Sequence, residues 1–131
     1  MARPRFVVML CVVAIVMAAA EFVGLFVRPL ESYEQVWLGY EFRGEAARIA
    51  AVPHVVVYVL GAWGLWQLRP WARKAAMVYF AYVILSFLIW GVRGYGSEGV
   101  LYVMAWQIFV LPLVTFCLMY LYRGERYFAR Q

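Results

Sequence analysis

Four long apolar segments dominate the pattern of hydrophobic and polar positions along this chain. They cover residues 6–27, 49–68, 71–92 and 100–122. Each reaches the roughly 20 residues with which a helix crosses about 30 Å of hydrocarbon. None shows the alternation of a membrane strand, and lipid offers the backbone of a spanning segment no hydrogen-bond partner. The pattern therefore predicts an all-α fold, an integral membrane four-helix bundle.

Composition supports a membrane protein with one domain. Of the 131 residues, 67% are hydrophobic and 15% are charged, whereas soluble domains are about 45–50% apolar and about 25% charged. We therefore expect a single membrane domain over residues 1–131. The first apolar segment also resembles a signal peptide, because Arg3 and Arg5 precede it and Ala18, Ala19 and Ala20 could form a cleavage site. Since the apolar run continues past these alanines, we predict an uncleaved anchor helix.

Basic residues are distributed unevenly among the segments that flank the apolar runs. The N terminus, the second loop and the C-terminal tail together contain eight of them and one acid, Glu125: Arg3, Arg5, Arg69, Arg73, Lys74, Arg123, Arg126 and Arg130. The first and third loops hold four basic residues against five acidic ones. Lys and Arg collect on the cytoplasmic side of membrane proteins. The distribution predicts a multi-pass protein of the inner membrane with both termini in the cytoplasm.

The first outer loop, residues 28–48, is the one sizeable segment between apolar runs. Ser32 and Gln35 have the spacing of a capping box. Behind them the apolar and aromatic side chains recur at the i, i+3, i+4 and i+7 positions of a helix: Tyr33, Val36, Trp37 and Tyr40. This spacing predicts a short amphipathic helix in the outer interface, with Trp37 more buried than Glu34.

Four polar residues fall in the outer half of the predicted bundle: Glu21, His54, Arg93 and Gln107. Small residues share the helix face of Glu21, and Tyr58 lies one turn after His54. Arg93 ends a stripe that also holds Tyr79, Tyr82, Ser86 and Trp90. Pro53 and Pro112 each remove a helical hydrogen bond nearby. We expect the four polar residues to converge, with Glu21 and Arg93 in contact.

Ionisable residues inside a membrane are costly and are functional candidates by default. The ligand-binding or proton-carrying candidates are Glu21, His54, Arg93, Gln107, Tyr58 and Ser86. The alternative is that Glu21 and Arg93 form a purely structural ion pair, and that His54 is simply a hydrogen-bonded residue near the interface.

Other kinds of site have little support in the sequence. The chain has one histidine and no aspartate, which excludes bis-histidine haem ligation within one chain and leaves too few ligands for a closed zinc site. Cys11 and Cys117 lack a CxxC arrangement and are interpreted as apolar filling. Phosphate-binding loops and nucleophile elbows are absent. We therefore expect no cofactor, no metal and no nucleic-acid partner.

These features favour a transport or solute-binding protein with a polar cavity in its outer half. Its partners would be the lipid bilayer and further copies of the chain, because four short helices make a thin wall for a transporter. An accessory subunit or assembly factor of a larger membrane complex is the alternative. A third hypothesis is a membrane enzyme for a lipid or quinone, with Glu21 and His54 as acid and base.

Overall fold

Four long helices form most of the computed structural model, which describes residues 4–94 and 100–128. They are α1 (Arg5–Val27), α2 (Gly44–Trp66), α3 (Pro70–Gly94) and α4 (Val100–Arg123), and a short helix α5 (Glu125–Phe128) follows. Among the described residues, three stretches are long and apolar enough to cross a membrane, Arg5–Val27, Gly44–Trp66 and Pro70–Arg93, and in α4 the apolar stretch is the shorter Gln107–Arg123. The predicted helical class and its membrane character are confirmed at this level. Helix α2 begins at Gly44 rather than at residue 49.

The predicted amphipathic helix at residues 33–40 is wrong. After a single 3-10 turn (Leu30–Ser32), the chain forms two antiparallel strands, β1 (Glu34–Trp37) and β2 (Tyr40–Arg43). Tyr33, Gln35 and Trp37 alternate with exposed residues and point towards the helices. The predicted order of burial is confirmed, because Trp37 is half-buried while Glu34 is exposed.

A two-residue turn joins the strands. Leu38 and Gly39 have φ values of 47° and 75°, which are the two positive values that a type I′ turn requires. The backbone twist of this turn matches that of the strands it connects. Turn type and loop length fix the register of a hairpin, which here pairs Trp37 with Tyr40 and Glu34 with Arg43. We call residues 34–43 the hairpin, and the end of the bundle that carries it the hairpin end.

The opposite end of the bundle holds the larger apolar core. The start of α1, the end of α2, the start of α3 and the end of α4 meet there, in a cluster that includes Val7, Leu65, Ala72 and Leu121. Gly64 lets α2 approach α3, because a Cβ at this position would lie 2.6 Å from the Cβ of Ala72. Helices α2 and α3 are thus joined tightly at this end.

Arg73, in the first turn of α3, is largely buried in this end of the bundle. Its guanidinium donates hydrogen bonds to the carbonyl oxygens of Leu121 and Tyr122, at 3.3 and 3.4 Å. These carbonyls belong to the last turn of α4, where helical donors run out. Arg73 also pairs with Glu125 of α5 at 2.9 Å. The charge therefore fastens α3 to the end of α4.

The packing of the helices follows from these contacts. Helix α1 lies along α2 and helix α3 lies along α4, whereas α2 and α3 share fewer contacts. Much of the remaining helix surface is apolar and exposed, as at Val92 and Phe109, which are 77% and 76% exposed. Exposed apolar surface on this scale is what a lipid environment would cover. At the hairpin end, the space between α2 and α3 is occupied by the hairpin.

Candidate functional site

Strand β1 connects Glu21 of α1 with His54 of α2. The Oε2 atom of Glu21 accepts hydrogen bonds from the Gln35 amide at 2.8 Å and from the Tyr33 hydroxyl at 3.2 Å. The Oε1 atom of Gln35 lies 3.1 Å from Nδ1 of His54. Two predicted site residues on different helices are therefore linked through a strand residue.

Tyr33 is held as a hydrogen-bond donor in this arrangement. Its side chain is fully buried against Ala47 and Ala51 of α2. Burial raises the pKa of the Tyr33 phenol above its ordinary value of 10.0, and the nearby Glu21 carboxylate raises this pKa further. The hydroxyl therefore keeps its proton at neutral pH and donates a hydrogen bond to Glu21.

The plane of the His54 ring is fixed by aromatic neighbours. The Trp37 indole stacks on it with ring centroids 4.3 Å apart and an interplanar angle of 11°. Trp37 is itself anchored, because its Nε1 donates to the Ala50 carbonyl oxygen at 3.1 Å. That carbonyl follows Ile49, whose helical hydrogen bond Pro53 removes. The carbonyl that holds the Trp37 ring is therefore that of Ala50, next to the one that Pro53 frees.

The turn and β2 rest on α3. The amide of Leu38 donates to the Tyr82 hydroxyl at 3.4 Å, and the amide of Gly39 donates to the Ser86 hydroxyl at 3.3 Å. Further along, the Trp90 indole donates to Glu41 at 3.1 Å. The hairpin therefore bridges α1 and α2 on one side and α3 on the other.

The predicted contact between Glu21 and Arg93 is wrong. Arg93 lies on the exposed surface, with its guanidinium carbon 3.9 Å from the centre of the Tyr40 ring. The ion pairs within the described residues join Arg43 to Glu34 and Glu41, and Arg73 to Glu125. Glu21 instead accepts hydrogen bonds from two neutral donors, Tyr33 just before the hairpin and Gln35 within it.

Gln107 contacts α3. Its Nε2 donates to the carbonyl oxygen of Phe87 at 3.2 Å. The side chain passes so close to Gly91 that a Cβ there would collide with its amide group. Of the four residues expected to converge, the structure joins Glu21 with His54 and places Arg93 and Gln107 against Tyr40 and Phe87.

A cavity of 310 Å³ lies between α2 and α3 beneath the hairpin. Helix α2 contributes His54 and Tyr58, and β1 contributes Val36. Helix α3 contributes six residues: Tyr79, Tyr82, Val83, Ser86, Phe87 and Trp90. Three of the predicted candidates, His54, Tyr58 and Ser86, border this cavity, and their role in binding stays a prediction.

Aromatic rings and hydroxyls make up most of the cavity wall. The Tyr79 hydroxyl donates to the Tyr58 hydroxyl at 3.0 Å. The Tyr79 ring meets that of Tyr82 with centroids 6.0 Å apart, and the Tyr82 ring lies 5.8 Å from Trp37. The stripe of polar and aromatic residues recognised on the third apolar segment thus faces the cavity. Only its last member, Arg93, turns away to the surface.

The arrangement has consequences for the chemistry that the site can perform. In residues 4–94 and 100–128, no group of three or more His, Cys, Asp or Glu side chains lies close enough together to hold a metal ion. An enzyme that used Glu21 and His54 as acid and base would need both in one cleft. Among the described residues, His54 borders the cavity and Glu21 does not. Glu21 and His54 are therefore linked through Gln35 and do not line one cavity together.

Sequence reasoning missed Gln35 and Trp37 as members of the site. The signal was the alternation of Tyr33, Gln35 and Trp37, which competes with the helical spacing of the same segment. A scan against protein families, a search of curated proteins and a search of solved structures each found no match. The molecule belongs to the class of mostly helical proteins with helices able to cross a membrane, and its function has to be inferred from the cavity.

Proposed function

We propose that this chain is a small membrane protein that binds a flat, largely apolar molecule in the cavity between α2 and α3. The observation that carries the proposal is the cavity itself, 310 Å³ in volume and lined by six aromatic rings, counting His54, together with Ser86. Small-molecule sites are clefts of about 300–1,000 Å³ with apolar walls and a few placed polar groups. Solute binding is the part of the sequence-based expectation that this cavity supports.

The setting that we propose for the cavity is a four-helix bundle in the inner membrane. Helix α4 would be the fourth span, since it has 24 residues and a predominantly apolar sequence. Both termini and the loop at Arg69 would face the cytoplasm, because eight basic residues lie there against one acid. The cavity and the hairpin would then face outward, and a solute would enter from the outer leaflet or the outer solution.

The experiment that tests the proposal fills the cavity with protein atoms. Val83 lines the cavity, and Val83→Trp would occupy much of its space. Val78 is on the same helix and is 70% exposed, so Val78→Trp adds an equal side chain to the lipid-facing surface and serves as the matched control. Both variants and the wild type are reconstituted in lipid nanodiscs, and acetophenone binding is measured by saturation-transfer NMR.

We expect saturable acetophenone binding to the wild type and to Val78→Trp, and loss of the saturable part in Val83→Trp. Non-saturable partitioning into lipid is common to all three samples and is subtracted with empty nanodiscs. Equal saturable signals from the two tryptophan variants would overturn the proposal, as would the absence of saturable binding to the wild type.

A further inference from the structure

The hydrogen bonds that end at His54 determine which of its ring nitrogens carries the proton. A carboxylate accepts hydrogen bonds and has no proton to give, so the end of the Gln35 amide that lies 2.8 Å from Glu21 is the NH₂ group. The amide oxygen of Gln35 therefore faces His54. Glu21 thus sets the orientation of an amide that is otherwise free to turn over.

The orientation of Gln35 then sets the tautomer of His54. An amide oxygen only accepts, so Nδ1 of His54, at 3.1 Å, is the donor. A neutral imidazole carries one proton on its two nitrogens. Nε2 is therefore the unprotonated nitrogen and offers a lone pair. Among the described residues the ring has Gln35 as its hydrogen-bond partner, and His54 borders the cavity.

The opposite wall of the cavity carries two hydroxyls that each already accept one hydrogen bond from the hairpin turn. Tyr82 and Ser86 accept from the backbone amides of Leu38 and Gly39 at the hairpin turn. Each hydroxyl keeps its own proton to donate. Beside the paired hydroxyls of Tyr58 and Tyr79, the cavity wall thus includes an acceptor on His54 of α2 and two hydroxyl donors on α3.

We infer that the cavity selects an aromatic ring that bears a hydroxyl or N–H donor toward His54 Nε2 and a carbonyl-type acceptor toward Tyr82 and Ser86. This inference rests on the proposed function and names the ligand class for the same site. Stacking of Trp37 on His54 holds the lone pair in a fixed direction, so a donor on the ligand meets it without a loss of side-chain freedom on binding. Ligands of the same shape without the donor leave Nε2 unpaired and bind more weakly.

The tautomer is measured without any ligand. His54 is the single histidine of the chain, so ¹⁵N-histidine labelling gives NMR signals from this ring alone. The sample is held at pH 8, above the range in which histidine side chains usually take up a proton. We expect the proton on Nδ1 in the wild type and in Tyr33→Phe, which leaves the bond between Glu21 and Gln35 in place.

In Glu21→Gln and Gln35→Leu we expect a mixture of the two tautomers, because the first no longer fixes which end of the Gln35 amide faces His54 and the second removes the acceptor beside Nδ1. The proton on Nε2 in the wild type would overturn the inference. An unchanged Nδ1 tautomer in both variants would overturn the role of Glu21 and Gln35. Tyr33→Phe controls for the general effect of losing a hydrogen bond to Glu21, since it removes one such bond and keeps the ring and its packing.

Ligand selection is measured with 4-hydroxyacetophenone and 4-methoxyacetophenone, which differ in the donor and keep the ring and the carbonyl. Dissociation constants are compared between the wild type and His54→Phe for each compound, so that partitioning into lipid cancels. We expect His54→Phe to weaken binding of the hydroxy compound by about 3- to 10-fold, the size of one net hydrogen bond. Binding of the methoxy compound should change by less than about twofold on the same scale.

Equal losses for the two compounds would overturn the inference and leave the proposed function standing. If neither compound binds saturably to the wild type, the proposed function fails, while the NMR experiment still decides the tautomer. A third compound, 4-ethylphenol, lacks the carbonyl and tests the other wall. Ser86→Ala should weaken the binding of 4-hydroxyacetophenone and leave the binding of 4-ethylphenol unchanged. Equal losses of affinity for these two compounds would refute the donor role of Ser86.

Discussion

Replacing Gly39 with alanine would show how strongly the hairpin is held against α3. Gly39 has a φ of +75°, a conformation that costs other residues about 1–2 kcal/mol. A Cβ at this position would also lie 2.7 Å from the backbone nitrogen of Trp90 and 2.9 Å from Cβ of Ile89. Backbone atoms of a packed helix cannot move aside cheaply, so the turn has to leave the helix.

The free-energy cost of moving the turn away from α3 follows from the hydrogen bonds that the turn makes there. Withdrawal breaks the bonds from Leu38 to Tyr82 and from Gly39 to Ser86. Each is worth about 0.5–1.5 kcal/mol net. The two bonds together add about 1–3 kcal/mol to the conformational cost, and Gly39→Ala should therefore lower the free energy of unfolding by about 2–5 kcal/mol.

Gly44 provides the matched control. It also has a positive φ, of 64°, but the nearest atom to a Cβ there is the Leu30 carbonyl oxygen at 4.0 Å. Gly44→Ala should lose only the conformational part, about 1–2 kcal/mol. The free energy of unfolding is measured by denaturation in mixed micelles, and hydrogen exchange at residues 38 and 39 reports whether the turn has left α3. A loss in Gly39→Ala no larger than that in Gly44→Ala would refute the reasoning.

Three further predictions concern other parts of the bundle. Arg73→Met should lower the free energy of unfolding by about 2–4 kcal/mol, because its charged hydrogen bonds to the carbonyls of Leu121 and Tyr122 are lost. Glu125→Gln should cost less than about 1 kcal/mol, since Glu125 is 72% exposed. Similar losses in the two variants, measured by chemical denaturation, would contradict this division. Gly91→Ala should destabilise the wild type by displacing the Gln107 side chain. In a Gln107→Ala background the same substitution should stabilise the protein by about 1 kcal/mol, because alanine has the higher helix propensity. If chemical denaturation shows that the free energy of unfolding changes in the same direction in both backgrounds, residues 91 and 107 do not compete for this space. The pKa of Tyr33 is raised in the folded protein, so Tyr33 contributes fully to stability at pH values below its ordinary pKa of 10.0. This contribution falls as the pH rises above 10.0, because the tyrosine ionises first in the unfolded chain. Tyr33→Phe should therefore make the free energy of unfolding less dependent on pH in this range, and an unchanged slope would contradict the prediction.

The helices could be predicted from sequence because the length of an apolar segment is enough to indicate a membrane-spanning helix. Residues 6–27 and 71–92 lie within the observed α1 and α3. No knowledge of partners is needed, since each helix satisfies its own backbone and its side chains face lipid or one another. The start of α2 at Gly44 was missed because residues 44–48 are too polar to belong to an apolar run.

The hairpin could not be predicted because its inward face contains a polar residue. Gln35 interrupts the apolar alternation of Tyr33 and Trp37, and the residues that satisfy it, Glu21 and His54, come from two other helices. Leu38 also occupies a turn position where Asn or Asp is typical. The helical spacing of the same residues therefore looked stronger than the strand pattern.

The wrong pairing of Glu21 with Arg93 has the same origin. A cation at a suitable depth was the partner visible in the sequence, whereas the actual partners are neutral groups of Tyr33 and Gln35. Tyr58 and Ser86 border the same cavity as His54, because helical periodicity places Tyr58 one turn from His54 and Ser86 within the aromatic stripe. Periodicity assigns a residue to a face, and the identity of the facing element has to come from the fold.

The two halves of the hairpin also differ in when their contacts become possible during synthesis. Gln35 reaches Glu21 and His54 over 14 and 19 residues of chain, so β1 can dock as soon as α1 and α2 have been made. Gly39 and Glu41 reach Ser86 and Trp90 over 47 and 49 residues and have to wait for α3. Chains emerge from the ribosome N terminus first. A nascent chain stalled after α2 therefore carries a half-docked hairpin, and the arrival of α3 both fastens its free strand and encloses the cavity.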